Sequence, residues 1–315
     1  MPDTPQLVVI CPGQGAQAFG MGRAWAEASP EARAVFDEAD AVLGSDLGAP
    51  ISTLCFEGPE ETLGRTDVSQ PALYVAGIAC WRGLSASLGY AEGEAPLAAT
   101  AGLSLGEYTA LHIAGAISFE DGLRLVALRG KAMQDAATAA PSGMVALIGV
   151  DEQQALSIVD ESRDNGVLVC ANFNAPGQVV ISGDADACDR AEAVAKGQKV
   201  RATRLAVAGA FHSPLMQPAA DRLGEALEAT TISAARCPVW SNVTAKAHET
   251  NAGSIRARLA EQLTSPVRWA DCFAAMASQF GDAQFHEVAP GKTLAGMARR
   301  IDKSTTVTSH DGPEL

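Results

Sequence analysis

Leu97 to Ala101 is a short apolar run that leads into Gly102-Leu103-Ser104-Leu105-Gly106, and Glu107 to Ala114 then carries the residue types of a helix. A strand that becomes a helix within five residues belongs to a layered α/β structure, with the helix folded back over the sheet. Leu7 to Cys11 is a second such run, continuous, largely β-branched and closed by Pro12-Gly13. It fits a strand buried on both faces of a parallel sheet. Phe285 to Val288, stopped by Pro290-Gly291, predicts a late strand of the same sheet.

Between these runs the pattern changes. Met144 to Val150 reads as strand, Asp151 to Ser162 as helix, and Val167 to Phe173 and Val179 to Ser182 as strands joined at Pro176-Gly177. Asp184 to Lys196 then reads as helix and Lys199 to Val207 as strand. That order, β-α-β-β-α-β, is a ferredoxin-like unit. It interrupts the larger α/β domain, so the expected division is 1–138 with 208–315 as one domain and 139–207 as an inserted subdomain.

With 315 residues, 47% of them hydrophobic, the chain can bury a sizeable core. Its seven cysteines are an odd number without close pairs, which fits neither a disulfide framework nor a thiolate zinc site. No metal and no cofactor are expected. The N-terminus lacks a basic segment leading into an apolar one, and no apolar run approaches roughly 18 residues. The expectation is a cytoplasmic protein, with plastid or mitochondrial placement kept open. The net charge of −14 disfavours nucleic acid and anionic membranes as partners. Two basic clusters stand against that charge: Lys196, Lys199, Arg201 and Arg204, and Arg299, Arg300 and Lys303.

Three features carry possible chemistry. Gly13-Gln14-Gly15-Ala16-Gln17-Ala18 follows a strand in a loose dinucleotide-like spacing. The second strand with an acidic end that such a site needs is missing, because Asp37 and Glu38 fall in the helical stretch Glu31 to Leu43. The loop can instead offer backbone N–H groups to a developing oxyanion. The second feature is the G-x-S-x-G turn, whose glycines allow a strained bend that lifts the Ser104 hydroxyl clear of the backbone. The Leu105 amide, at a helix N-terminus, is placed to stabilise negative charge.

The serine needs a base, and the five histidines are His112, His212, His248, His286 and His310. His212 sits in the loop Gly209-Ala210-Phe211-His212-Ser213-Pro214, where the chain returns from the inserted unit, and is either that base or a structural loop residue. His112 is expected to pack on a helix, His286 to lie at a strand, and His248 and His310 to lie on the surface. The third feature is Arg129, on a helix opened by Ser118 and Asp121 and running to about Ala137, on one face with Leu125, Val126 and Met133. It either snorkels or pairs with a buried carboxylate, or it grips a substrate carboxylate with two hydrogen bonds in a dry pocket.

Together these segments resemble the malonyl-CoA:acyl carrier protein transacylase family. Pro12 to Gln17 resembles its PGQG-[SA]-Q opening, Gly102 to Glu107 its GHSLGE elbow, and Arg129 to Gln134 its RGK-x-MQ helix. Ala171 to Gln178 resembles its ANFNSPGQ hairpin, and Ala289-Pro290-Gly291-Lys292 its GPGK. The matches span about residues 8 to 302 in the family's order. The resemblance implies an α/β-hydrolase-like larger domain with a mostly parallel sheet. It implies Ser104 as nucleophile, His212 as base and Gln262 as the residue whose main-chain carbonyl orients that base, a Ser-His dyad. By the same resemblance Gln14 and Leu105 form the oxyanion hole, and Arg129, Met133, Phe211 and Asn172 bind substrate. Phe211 resembles the malonyl-selective form of its loop.

The implied reaction moves malonyl from malonyl-CoA to the phosphopantetheine thiol of holo acyl carrier protein, for fatty-acid synthesis, in an enzyme expected to be a monomer. Carrier proteins of this kind are acidic, which gives the two basic clusters a docking role. One departure is Leu103, where the family carries histidine. A serine hydrolase of the same architecture and a non-catalytic carrier-binding module are the rival readings.

Overall fold

The structure, a computed structural model, describes residues 6–313. Five parallel strands, β1 (Leu7–Cys11), β2 (Leu97–Gly102), β7 (Val239–Trp240), β8 (Gln284–Val288) and β9 (Val307–His310), form one sheet in the order β7-β2-β1-β8-β9. Every residue of β1 is buried, as its unbroken apolar run requires. Cys11 pairs in register with Gly102, so β1 and β2 end level and both following loops open on one edge of the sheet. Clefts at the carboxyl ends of parallel strands are where such sheets place ligands.

The sheet is covered by helices, the longest of them Thr66–Ser87, which packs against Pro30–Leu43 and Phe119–Thr138. Ser29 and Ser118 cap the last two by accepting from the amides of Ala32 and Asp121. Each fully buried large aliphatic or aromatic side chain in this core, such as Phe36, Ile78 or Phe285, contributes roughly 1.5–3 kcal/mol. Among the described residues no helix is long and apolar enough to cross a membrane.

The second sheet comprises β3 (Ser142–Ile148), β4 (Leu168–Ala175), β5 (Gln178–Asp184) and β6 (Arg201–Arg204), antiparallel throughout in the order β4-β5-β3-β6. The helices Glu152–Arg163 and Ala185–Gly197 complete the expected β-α-β-β-α-β order. Alternation along the strands divides two cores. Val145, Leu147 and Ile181 face these helices, whereas Met144, Ala146 and Val180 join the core of the larger body. The Phe173 amide donates to the Val267 carbonyl (2.9 Å) and the Val267 amide to the Ala171 carbonyl (2.8 Å), which ties β4 to the larger body.

The last strand of this unit is shorter than the expected Lys199 to Val207. Lys199 takes a left-handed conformation, with φ 60°, and is spent turning out of the preceding helix. Leu205 to Val207 leave the sheet to line a cavity. Two histidines also depart from expectation. His310 is buried and stacks on His286, with ring centroids 5.1 Å apart, and the His248 side chain is only 3% exposed beside Glu107. Both lie in polar, turn-rich sequence, which reads as surface until the partner across the fold is known. His112 packs as expected, between Tyr74 and Phe119, and burial pushes its pKa down to about 4.

Candidate active site

The turn after β2 is dictated by crowding. A Cβ on Gly102 would stand 1.9 Å from the Gly106 carbonyl carbon, and a Cβ on Gly106 would stand 2.2 Å from the Cys11 oxygen. Only glycine fits at either place. Between them Ser104 adopts φ 53°, a conformation that costs a non-glycine residue on the order of 1 kcal/mol or more. Asn242 offsets that strain from across the sheet edge. Its Oδ1 accepts from the Ser104 amide (2.6 Å) and its Nδ2 donates to the Gly102 carbonyl (2.7 Å).

His212 lies on the loop that returns from β6, also left-handed, with φ 55°. Ser182 of β5 donates to the Phe211 carbonyl (2.7 Å), and Ser213 caps the short turn Pro214–Met216, so the loop is held on both sides of the ring. The ring bridges two groups: Nε2 is 2.8 Å from Ser104 Oγ, and Nδ1 is 2.8 Å from the Gln262 main-chain oxygen. A carbonyl can only accept, so Nδ1 carries the hydrogen and Nε2 presents its lone pair to the serine. Burial first, and the charge of Arg129 second, push the His212 pKa down to about 4. The imidazole is therefore neutral at physiological pH, the form a base requires.

Arg129 comes from the helix Phe119–Thr138 and is 1% exposed. Its Nη1 donates to Gln70 Oε1 (2.6 Å), and its Nη2 donates to Ser104 Oγ (3.0 Å) and Gln262 Oε1 (2.9 Å). The guanidinium carbon stands over the Tyr108 ring at 5.5 Å from its centroid. No carboxylate of the described residues lies within 4.0 Å of it, so neither snorkelling nor a direct buried ion pair accounts for this arginine. Burial lowers its pKa from the ordinary arginine range, and the more distant charge of Glu107 opposes that shift.

Ser104, His212 and Arg129 open on a cavity of about 340 Å³ that Gln14, Met133, Asn172 and Phe211 also line. Leu105 and Gln262 stand behind this wall, both buried, and the remaining expected site residues all face the cavity. Leu103 adds an apolar wall. A larger cleft, about 870 Å³, lies elsewhere against Trp81, His112 and Arg236. It contains no serine and histidine in hydrogen-bond contact, whereas the smaller cavity holds the Ser104–His212 pair. Among the described residues no cluster of three or more His, Cys, Asp and Glu side chains could hold a metal ion.

The chain matches the acyl transferase domain model over residues 8–310. The chain belongs to the acyl transferase family. It is 42% identical over 310 residues to the malonyl CoA-acyl carrier protein transacylase of Salmonella typhimurium, covering 98% of this chain and 96% of that protein. Among solved structures it is similar to the malonyl-CoA:acyl carrier protein transacylase of Xanthomonas oryzae, with TM-score 0.90, 43% identity, and 98% and 96% of the two chains covered. It is also similar to a malonyl-transacylase solved in complex with its type II polyketide-synthase acyl carrier protein, with TM-score 0.90, 38% identity, and 98% and 96% covered.

Two residues of this acyl transferase were not singled out by sequence reasoning. Asn242 sits in an unremarkable loop segment, Ser241-Asn242-Val243, that only the fold carries to the elbow. Glu107 is fully buried beneath the site, and its carboxylate accepts from Gln262 Nε2 (2.7 Å), the Asn242 amide (3.0 Å) and His248 Nε2 (2.6 Å). Its signal was visible as an acidic residue at the head of the apolar helix Gly106–Ile113.

Proposed function

We propose that this acyl transferase moves a malonyl group from malonyl-CoA to the phosphopantetheine thiol of holo acyl carrier protein through an ester on Ser104. The observation that carries the reading is Arg129: a buried guanidinium without a carboxylate partner, its Nη2 within 3.0 Å of the serine oxygen. A buried cation held that way favours a substrate that brings its own carboxylate. Malonyl thioesters place a carboxylate one carbon from the carbonyl that the serine attacks.

In the first half-reaction Ser104 Oγ bonds to the thioester carbon as His212 Nε2 takes the hydroxyl proton. The amides of Gln14 and Leu105 stabilise the oxyanion, a contribution of roughly 3–4 kcal/mol per donor. The carbon–sulfur bond breaks, and CoA leaves with the proton from His212. In the second half-reaction the carrier thiol gives its proton to His212 and attacks the malonyl ester, and Ser104 recovers the proton as its bond to carbon breaks. One thioester replaces another, so the exchange is near thermoneutral and reversible. Phe211 beside the acyl group leaves little room for a methyl branch, which favours malonyl over methylmalonyl.

Intact mass after mixing the chain with malonyl-CoA tests the reading. The expected result is a stable malonyl adduct that is absent in Ser104→Ala and is discharged by holo carrier protein. A chain that gives no adduct is not a transferase of this kind. An adduct that water clears as fast as it forms points to a hydrolase.

A further inference from the structure

Glu107 does not line the cavity, yet two of its three donors lead to groups at the reacting centre. Gln262 Nε2 donates to it, while the same residue's main-chain oxygen orients His212 and its Oε1 accepts from Arg129. The Asn242 amide donates to it, while the Asn242 side chain holds the Ser104 amide and the Gly102 carbonyl. His248, reached from a separate loop, donates Nε2 to its other oxygen at 2.6 Å. One fully buried carboxylate thus joins the mounts of the nucleophile, the base and the substrate-binding cation.

The arrangement also answers an electrostatic question. A buried guanidinium needs an opposite charge nearby, but a carboxylate bonded directly to Arg129 would occupy the place of the substrate's own carboxylate. Gln262 solves this as a neutral spacer. Its amide oxygen takes the hydrogen bond from Arg129, and its amide nitrogen passes the dipole on to Glu107. The counter-charge is present at one residue's remove, and the guanidinium stays open to ligand.

Resting on the malonyl-transfer reading, we infer that Glu107 is a positioning residue of the reaction. Through Gln262 and Asn242 it fixes the base-orienting carbonyl and the serine turn together, and His248 is the partner that holds its carboxylate in place. Glutamine at 107 has the same shape but no charge and only one acceptor oxygen: its NH₂ group either opposes the Gln262 and Asn242 donors, or takes the His248 side and forces that ring to move its hydrogen to Nδ1. The site then loosens without losing any group that touches substrate.

The test measures Ser104 acylation by malonyl-CoA with rapid quenching and intact mass on the full chain. The end-point adduct counts live sites, so the rate is expressed per competent serine. Glu107→Gln is expected to acylate about 10- to 100-fold more slowly at saturation, the scale of a small misplacement of reacting groups. Its half-saturating malonyl-CoA concentration should stay within about twofold, because Arg129 keeps its own contacts. His248→Leu is expected to lose about 3- to 10-fold. His248→Gln should recover most of that loss, since the glutamine amide nitrogen reaches as far as imidazole Nε2. A wild-type rate per live site in Glu107→Gln overturns the inference. Where Glu107→Gln does not fold, the His248 pair decides: no loss in the leucine variant, or a loss that glutamine does not recover, overturns it. A wild-type chain that forms no adduct sinks the transfer reading instead, which keeps the two failures apart.

Discussion

Arg129 is the residue whose surroundings speak most directly about substrate. The two Nη groups of its planar fork are held by Gln70, Gln262 and the Ser104 hydroxyl, three neutral acceptors that a carboxylate can outcompete, and its buried Nε has no hydrogen-bond partner among the described residues. Hydrogen bonds between charged groups contribute about 1.5–3 kcal/mol each, and the loss of one or two converts to roughly a hundredfold in rate. Arg129→Ala should therefore slow acylation by malonyl-CoA about a hundredfold while leaving acetyl-CoA far less affected. Competition between the two thioesters, read as the ratio of adduct masses, checks this. An unchanged ratio would mean that the arginine serves packing alone. The alternative of a direct buried ion pair was reasonable from sequence, because a lone arginine on an apolar helix face carries no sign of what it meets.

At the scale of the element, the elbow between β2 and the helix Gly106–Ile113 tolerates no added atom. Gly102→Ala would drive a methyl carbon into the Gly106 backbone, where 1.9 Å is available, and rigid main chain cannot yield as a flexible side chain can. The expected cost is about 1–3 kcal/mol of stability from overpacking, with the acylation rate falling by about two orders of magnitude as Ser104 moves. Urea unfolding together with adduct kinetics separates the two effects. This element was legible in sequence because its glycines and its strand-to-helix order leave few alternatives, and the inserted unit was legible because its strands and helices switch period cleanly. The helix Thr66–Ser87 was not, and its burial explains why. Eighteen of its twenty-two residues are buried, so it has no polar stripe and no amphipathic period to read. β7, two residues long, is recognisable only by its pairing with β2. Ser104, His212 and Arg129 could be named individually, but the Glu107 network joins residues 107, 242, 248 and 262, and no local pattern links positions so far apart.

For the molecule as a whole, the buried imidazoles set the response to acid. Burial pushes His112, His212 and His286 each down to about 4 from an ordinary 6.5. Between those values the unfolded chain binds protons that the folded chain refuses, so stability is full above about pH 6.5 and is lost as pH falls toward 4. Urea midpoints should be clearly lower at pH 5 than at pH 7, a difference of a few kcal/mol in all. Equal midpoints would mean that these rings protonate freely in the native state.

Against the net charge of −14, two basic clusters stand out on the surface. Lys196, Lys199 and Arg201 are exposed, as are Arg299, Arg300 and Lys303, while Arg204 is paired with Asp189 and Glu192. The segments that bear these clusters continue into the cavity wall, one through Leu205 to Val207 and the other through Thr293 and Met297. Reversing the charge at both clusters should raise the half-saturating concentration of an acidic carrier protein about tenfold or more at low salt, and leave acylation by malonyl-CoA unchanged. A carrier response that does not move would remove these clusters from docking.

The paired hydrogen bonds between β4 and Val267 bear on how such a carrier is received. One side of the cavity comes from the inserted sheet and the other from the elbow, and this short stitch of backbone holds the two walls at a set spacing. A thioester arm that enters meets a gauge, already at its working width. Acyl groups are then expected to be sorted by whether they reach the serine at all, so that a branched or bulky thioester leaves Ser104 without an adduct by intact mass.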